Sequence, residues 1–188
     1  MRASRLFLAT SLALLSGCDP SGSTTVNAFG GTFTFTSAGA VSASFSANGD
    51  RPSTQTARET QAWSHAQPTV NSEVILTSAQ PGSGATHSYV EAWIARNTAG
   101  TATIDPNCVF NCTGLYVEFN VTNGGPPVGT QSCYLTSGAF IITSISATNV
   151  SGTFSGTGVC SSPGGPTTSW TVTNGTFNIA INTASMYP

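Results

Sequence analysis

Apolar and small polar residues alternate with a period of two along much of this chain. Residues 41–47 read VSASFSA and residues 115–122 read LYVEFNVT, so every second side chain is apolar. Because successive side chains of a β-strand point to opposite faces of its sheet, this alternation predicts strands with one face on a core. Rougher runs of the same kind predict further strands at 31–36, 70–77, 88–96, 138–148 and 149–156.

Turn residues separate these runs, and the composition agrees with short strands. Asn48-Gly49, Pro81-Gly82 and the PGGP segment at 163–166 each lie between two runs. Serine and threonine supply 54 of the 188 residues, and charged residues are only 6%, whereas an ordinary globular domain has about 25% charged residues. We therefore expect an all-β fold, either an antiparallel β-sandwich or a flattened β-barrel, formed as a single domain by residues 29–188.

The C-terminal region leaves two geometries open. A two-residue hairpin at Asn174-Gly175 would place Val172 opposite Phe177 and put the apolar side chains on one face. A single long strand with a β-bulge at the same two residues would change the phase of the alternation in the same way. The pattern favours neither geometry over the other.

The N-terminal residues have the layout of an export signal. Arg2 and Arg5 precede an apolar stretch at 6–15. This stretch is too short to span a bilayer and is typical of the core of a secretory signal. The sequence therefore predicts that the chain leaves the cytoplasm.

The segment that follows, Leu15-Ser16-Gly17-Cys18, resembles the lipobox of bacterial lipoproteins. The resemblance implies a signal peptide at 1–17 and a flexible tether at 18–28. It also implies that the Cys18 thiol is acylated with a fatty acid such as palmitate. Several acyl chains on one residue anchor a protein firmly, at about 0.8 kcal/mol per buried methylene. We therefore expect a lipoprotein of the bacterial cell envelope, anchored through Cys18 to the periplasmic face of the inner or outer membrane or to the cell surface. Asp19 resembles the inner-membrane retention signal of enteric bacteria, a rule that varies among bacteria.

Two strings near the C-terminus carry a second resemblance. Residues 149–154 read NVSGTF and residues 172–178 read VTNGTFN. Together they resemble the end of a family of uncharacterised β-rich bacterial lipoprotein domains. That resemblance implies a β-rich fold and an envelope address, and it implies no particular activity.

Four cysteines remain once Cys18 is assigned to lipid. An even number of cysteines in an exported chain predicts two disulfides, with three possible connectivities. We favour Cys108–Cys112, whose short separation closes a tight loop, and Cys133–Cys160, which would join two long connections to neighbouring strands.

Charge and cysteine spacing limit the partners. After residue 17 the chain has no lysine, three arginines and seven acidic residues, a formal charge of −4. Nucleic-acid binding depends on basic residues that neutralise phosphates and release the counterions condensed on them, so we expect no nucleic-acid partner. A C-x3-C pair followed by two scattered cysteines matches no zinc-site spacing. We therefore expect neither a metal nor a cofactor.

The triplet Tyr-Val-Glu occurs in two predicted strands, at 89–91 and 116–118. Alternation places Tyr89, Glu91 and Trp93 on one face of the first strand, and Tyr116 and Glu118 on one face of the second. If the strands are neighbours, these five side chains form one outer surface, which is a candidate ligand face. Such a surface suits stacking against a sugar or contact with a protein, and two carboxylates about 5 Å apart suit a retaining glycosidase.

Other catalytic signals are weak. The chain has no G-x-S-x-G nucleophile motif, and we expect His65 and His87 to be solvated loop residues and 105–107 (DPN) to be a turn. The favoured function is therefore a membrane-anchored envelope lipoprotein that acts as a non-catalytic structural or interaction module. The alternative is an envelope glycan-binding protein or a glycoside hydrolase that uses the strand carboxylates.

One helix is predicted. The segment 56–59 reads TARE, a capping box that predicts a helix from Thr56 to Ser64. It lies in a polar excursion at 48–68, which is long enough to fold over one mouth of a sandwich or barrel.

The lipobox resemblance yields a direct prediction. In a bacterial host grown with a clickable fatty acid, the mature chain becomes labelled, and Cys18→Ser abolishes the label because the acylated thiol is gone. Ser21→Ala, three residues further on, serves as the control and retains the label. Unlabelled mature protein, or a label that persists in Cys18→Ser, contradicts the assignment.

Overall fold

A computed structural model describes residues 30–68, 74–108, 112–123 and 130–181. The expected signal peptide, Cys18 and the tether lie outside the described residues. The elements in chain order are β1 (Gly31–Gly39), β2 (Ala43–Gly49), α1 (Gln55–Thr60), β3 (Trp63–Pro68), β4 (Val74–Pro81), β5 (Thr86–Ile94), β6 (Gly100–Thr103), β7 (Gly114–Thr122), β8 (Gln131–Ile145), β9 (Asn149–Ser161) and β10 (Thr168–Ala180).

The ten strands form one antiparallel sheet in the order β2-β1-β10-β9-β8-β7-β5-β4-β3, with β6 paired to β8. The sheet nearly closes where its two ends, β2 and β3, approach each other. Ser46 N–H donates to Gln80 Oε1 at 2.8 Å across this seam, and Ile181 forms a parallel bridge with Ala66 of β3. The all-β expectation is confirmed, and a single barrel-like sheet replaces the sandwich alternative.

The structure also decides the geometry at Asn174-Gly175. Strand β10 runs without a turn from Thr168 to Ala180, and its pairing with β9 shifts register between Val172 and Gly175. Asn174 has a positive φ of 53°, a conformation that asparagine tolerates better than most residues. The phase change in the sequence is therefore a β-bulge rather than a hairpin.

The interior of the barrel is filled by aromatic rings. Phe154 lies at the centre of a cluster in which its ring centroid is 4.9 Å from those of both Phe33 and Phe140. Glycine occupies positions across from these rings. A Cβ at Gly152 would lie 2.6 Å from Cζ of Phe177, and a Cβ at Gly175 would lie 2.6 Å from Cγ of Phe154. The glycines leave space that the neighbouring rings occupy.

Both expected disulfides are present, joining Cys108 to Cys112 and Cys133 to Cys160. Cys133 and Cys160 lie directly opposite each other in β8 and β9, and both are fully buried in the core. The expectation that this pair joins two long connections is wrong, because the two cysteines belong to the strands themselves.

The helix begins earlier and is shorter than predicted. Its N-cap is Thr54, whose hydroxyl accepts a hydrogen bond from Ala57 N–H at 3.3 Å, and it ends at Thr60. Glu59 therefore lies in the last turn and cannot close a capping box; it accepts from Gln55 Nε2 at 2.6 Å. No helix within the described ranges is long and apolar enough to cross a bilayer.

The polar excursion is also shorter than expected, because residues 63–68 form strand β3. The remaining residues, 50–62, are called the covering segment here. They lie over the outer face of β3, β4 and β5, since they share a pocket with Thr77, Ala79 and Tyr89, which lie on that face. The expectation that this segment covers a mouth of the barrel is therefore wrong.

Truncating the central ring tests the packing. Phe154→Ala should lower the free energy of unfolding by about 3–5 kcal/mol, because it removes a buried ring and leaves a cavity. Phe154→Leu should cost about 1–2 kcal/mol and keeps the test informative if the alanine variant does not fold. Thr153→Ala, on the outer face of the same strand, should change stability by less than about 0.5 kcal/mol. Equal losses in Phe154→Leu and Thr153→Ala, measured by denaturant unfolding, would contradict this packing.

Candidate functional site

The two strands that carry the Tyr-Val-Glu triplets are neighbours. In the antiparallel pairing of β5 with β7, Glu91 lies opposite Tyr116, and Tyr89 lies opposite Glu118. The alternate residues Val90, Ala92, Leu115 and Val117 are buried in the core. The five side chains named from the sequence, Tyr89, Glu91, Trp93, Tyr116 and Glu118, therefore share one outer face.

Tyr116 is held by hydrogen bonds on this face. Its hydroxyl donates to Glu118 Oε1 at 2.6 Å and lies 3.2 Å from Ser132 Oγ on the neighbouring strand β8. Burial, and next the hydrogen bond to Glu118, raise the pKa of Tyr116 to about 12. The phenol therefore remains protonated near neutral pH and serves as a hydrogen-bond donor rather than a nucleophile.

Glu91 lies in a different environment on the same face. It is flanked in the sheet by Thr77 of β4 and Tyr116 of β7. Burial raises the pKa of the Glu91 carboxyl. The two acids of this face thus have different neighbours, since Glu118 accepts the Tyr116 hydroxyl while Glu91 lies between Thr77 and Tyr116.

An open cleft of about 600 Å³ lies at one end of this face. Trp93, Tyr116 and Tyr134 supply aromatic rings to its lining, and Asp105 and Asn107 supply polar groups. These five residues define what is called the aromatic cleft here. Tyr134 is 42% exposed, so its ring is accessible to a ligand. Large rings beside a few polar groups are typical of small-molecule binding sites.

The cleft forms where strand β8 changes its pairing partner. Residues 131–134 of β8 pair with β7, whereas residues 139–142 pair with the short strand β6. The chain leaves β6 after Thr103 and returns to the sheet at Gly114. Residues 105–108, which follow the end of the pairing between β6 and β8, line the cleft and form its rim.

The rim is fixed by several bonds. Asp105 N–H donates to Thr113 O at 2.8 Å, and the Asp105 carboxylate accepts from Asn107 N–H at 2.9 Å. Cys108 N–H donates to Asp105 O at 3.1 Å, and its disulfide to Cys112 closes the loop. The turn expected at 105–107 is present, and it borders a cleft that the sequence did not reveal.

A second, smaller pocket of about 160 Å³ lies beneath the covering segment. We call it the arginine pocket; its lining includes Arg51, Arg58, Glu59, Trp63, His87 and Tyr89. Trp63 is only 3% exposed, and its indole N–H donates to Arg58 O at 2.9 Å. The Arg51 guanidinium carbon lies 5.6 Å from the Trp63 ring centroid, within the range of a cation–π contact.

Both histidines lie in strands, so the expectation that they are solvated loop residues is wrong. His87 is half-buried in β5, and its Nδ1 is 2.8 Å from Asn123 Oδ1. His65 lies in β3, is 4% exposed, and its buried Nε2 has no hydrogen-bond partner among the described residues. His65 is buried because the covering segment lies over the outer face of β3. The periodicity of a strand does not show which other segment covers it.

Within the described ranges no group of three histidine, cysteine, aspartate or glutamate side chains could hold a metal ion. Comparisons with protein-family models, with curated proteins and with solved structures find no match for this chain.

His65 predicts how stability depends on pH. Burial, and next the positive charge of Arg51, lower the pKa of His65 from its ordinary 6.5 to about 4. Between these values the unfolded chain binds a proton that the folded chain does not, so the free energy of unfolding decreases as the pH falls from about 6.5 to 4. The loss should reach up to about 2 kcal/mol.

Denaturant unfolding at a series of pH values measures this slope. Carboxylates also titrate in the acidic range, so the informative quantity is the difference in slope between the natural protein and His65→Gln, which cannot be protonated. The slope should be shallower in the variant. Parallel curves would show that His65 is not the group responsible.

Proposed function

We propose that this protein is an envelope lipoprotein, anchored through Cys18, whose barrel is a non-catalytic module that binds a glycan in the aromatic cleft. The observation that carries the proposal is the convergence of Trp93, Tyr116 and Tyr134 beside two polar side chains in one open cleft. The lipobox resemblance supports the anchor. The two disulfides support an oxidising compartment, where such bonds persist.

A sugar matches the chemistry of this lining. The C–H face of a pyranose packs against aromatic rings, and its hydroxyls both donate and accept hydrogen bonds. Tyr and Trp rings combine a large apolar surface with a polar tip. Asp105 offers carboxylate acceptors, and the Asn107 amide offers both donors and acceptors. Such a lining holds a neutral polar ligand without requiring charge on the ligand.

The cleft is also preorganised. Trp93, Tyr116 and Tyr134 are on strands of one continuous sheet, and the rim is closed by the Cys108–Cys112 disulfide. A rigid site loses little conformational entropy when it binds a ligand. Binding can therefore be appreciable even though the contacts are few.

The second candidate is a glycoside hydrolase that uses Glu91 and Glu118. It is favoured by the position of the two carboxyls on adjacent strands, because a pair of carboxyl groups, one of them with a raised pKa, is the arrangement that glycosidases use. However, neither carboxyl lines the aromatic cleft or the arginine pocket as described above. Glu118 is already hydrogen-bonded to Tyr116. Binding without turnover is therefore the function that the geometry supports better.

A glycan array tests the binding proposal. The exported domain should bind a restricted set of glycans, and Trp93→Ala should weaken binding at least tenfold, or about 1.4 kcal/mol, because it removes a stacking surface. Ile141→Ala is the matched control, since Ile141 is 47% exposed on the outer face and lies outside the cleft. Unchanged binding in Trp93→Ala, or equal losses in both variants, would contradict the site.

Turnover distinguishes the second candidate. Each glycan that binds is incubated with the protein, and reducing ends are measured. The binding proposal expects no release. Release that is lost in Glu118→Gln while binding persists would establish the hydrolase instead.

A further inference from the structure

We propose that the bound glycan carries a carboxylate, and that the arginine pocket is a second subsite that binds its acidic unit. This inference rests on the proposed function, because it assigns a ligand class to the same outer face. It adds a site, the chemistry that this site selects, and the direction in which the glycan lies.

The two sites lie along one strand. Tyr89 lines the arginine pocket and Trp93 lines the aromatic cleft, and both point to the outer face of β5. Four residue steps along the strand separate them, which is about 14 Å at ~3.4 Å per residue. This span is longer than one sugar ring. A single ligand that reaches both sites is therefore an oligosaccharide that runs along β5.

Arg58 supplies the chemistry of the second subsite. It lines the arginine pocket, and its Nε–H is buried without an acceptor among the residues that the structure describes. Arg58 as a whole is only half-buried, and its positive charge favours an anionic ligand, since charge-assisted hydrogen bonds are strong away from bulk water. A carboxylate is the group that guanidinium binds best, because its two oxygens match the planar fork of donors.

The remaining groups of the pocket agree with this assignment. The acid of the pocket, Glu59, already accepts a hydrogen bond from Gln55 Nε2 at 2.6 Å. Two of the three arginines after residue 17, Arg51 and Arg58, line this pocket. The third, Arg96, donates hydrogen bonds to the backbone oxygens of Thr98, Ala99 and Thr101 in its own turn. In a chain of net negative charge, the arginines are thus concentrated where the ligand would enter.

The acids of the face set the direction of the glycan. Glu91 lies on β5 between Tyr89 and Trp93, and Asp105 lines the aromatic cleft. Glu118, opposite Tyr89 on β7, accepts the Tyr116 hydroxyl and does not line the arginine pocket. A ligand carboxylate placed over Glu91 would meet a like charge, and such a contact discriminates against the wrong alignment. The acidic unit therefore lies in the arginine pocket, while neutral units lie over Glu91 and in the aromatic cleft. The ligand class is a glycan in which acidic units are separated by neutral ones.

A matched pair of ligands tests this proposal. The probe is an oligosaccharide of neutral hexose units that ends in a single hexuronic acid, and its partner is the same oligosaccharide with that carboxylate reduced to a hydroxymethyl group. Binding of both is measured by calorimetry at low and at high salt. The natural protein should bind the acidic form at least tenfold more tightly at low salt, and the preference should shrink as salt screens the charges.

Three variants locate the effect. Arg58→Gln should bind both forms equally, with the affinity of the natural protein for the reduced form. Arg58→Lys should keep part of the preference, because it retains the charge without the planar fork. Trp93→Ala should lose affinity for both forms. Thermal unfolding of each variant establishes that the fold is retained.

The outcomes separate the two proposals. Equal binding of the two forms by the natural protein overturns the acidic subsite and leaves glycan binding intact. A preference that persists in Arg58→Gln also overturns the subsite, since the carboxylate is then recognised elsewhere. Failure of the natural protein to bind either probe, together with no binding on the glycan array, overturns both the function and the subsite.

Discussion

The packing of aromatic rings against glycine inside a single, nearly closed sheet is the constraint on which the rest of this structure depends. The interior of a small barrel is filled at close-packed density, so a large aromatic ring fits only where a neighbouring strand carries a small residue such as glycine. Phe177 lies opposite Gly152, and Trp170 lies opposite Gly158. The glycines of β9 thereby fix the registers of β8, β9 and β10, the three longest strands. These three registers in turn determine where β8 has length to spare beyond its pairing with β7.

The part of β8 that extends beyond its pairing with β7 makes a cleft possible on an otherwise continuous sheet surface. Strand β7 pairs with β8 only as far as Tyr134, and β6 takes over from Ala139. Four residues of β8 lie between the two partners, and the first of them, Leu135, lines the cleft together with Cys108. The aromatic cleft thus results from a mismatch in strand length, and its position follows from the core rather than from the residues that line it. Replacing Tyr134 would alter the ligand without moving the cleft.

The sequence predicts those parts of the fold in which one face of a strand is buried and the other is not. Residues 115–122 are such a case, and their period-two pattern appears as strand β7. Strand β3 was missed because Trp63, Ser64, His65 and Ala66 are all buried, the inner ones by the barrel and the outer ones by the covering segment. Alternation disappears when both faces are covered. The sequence predicts that Tyr89 and Tyr116 share a face only if their strands are neighbours, because the order of strands in a sheet depends on the whole topology. No sequence pattern marks Tyr134 as a residue of a binding site.

Among the described strands, acidic, basic and histidine side chains occur only in β3, β5 and β7, which lie in one part of the sheet with β4. Strands β1, β2, β6, β8, β9 and β10 contain no acidic or basic residue and no histidine. Their outer faces are instead joined by hydroxyl pairs such as Thr34 with Thr176 at 2.8 Å and Ser137 with Thr157 at 2.8 Å. Bonds between neutral hydroxyls do not titrate, so this half keeps its interactions across a wide pH range. The groups that respond to pH or to a charged ligand, including His65, Glu91 and Arg58, are therefore on the side that carries both pockets. A change of pH or salt should alter recognition on that side and leave the hydroxyl-lined half of the barrel unchanged.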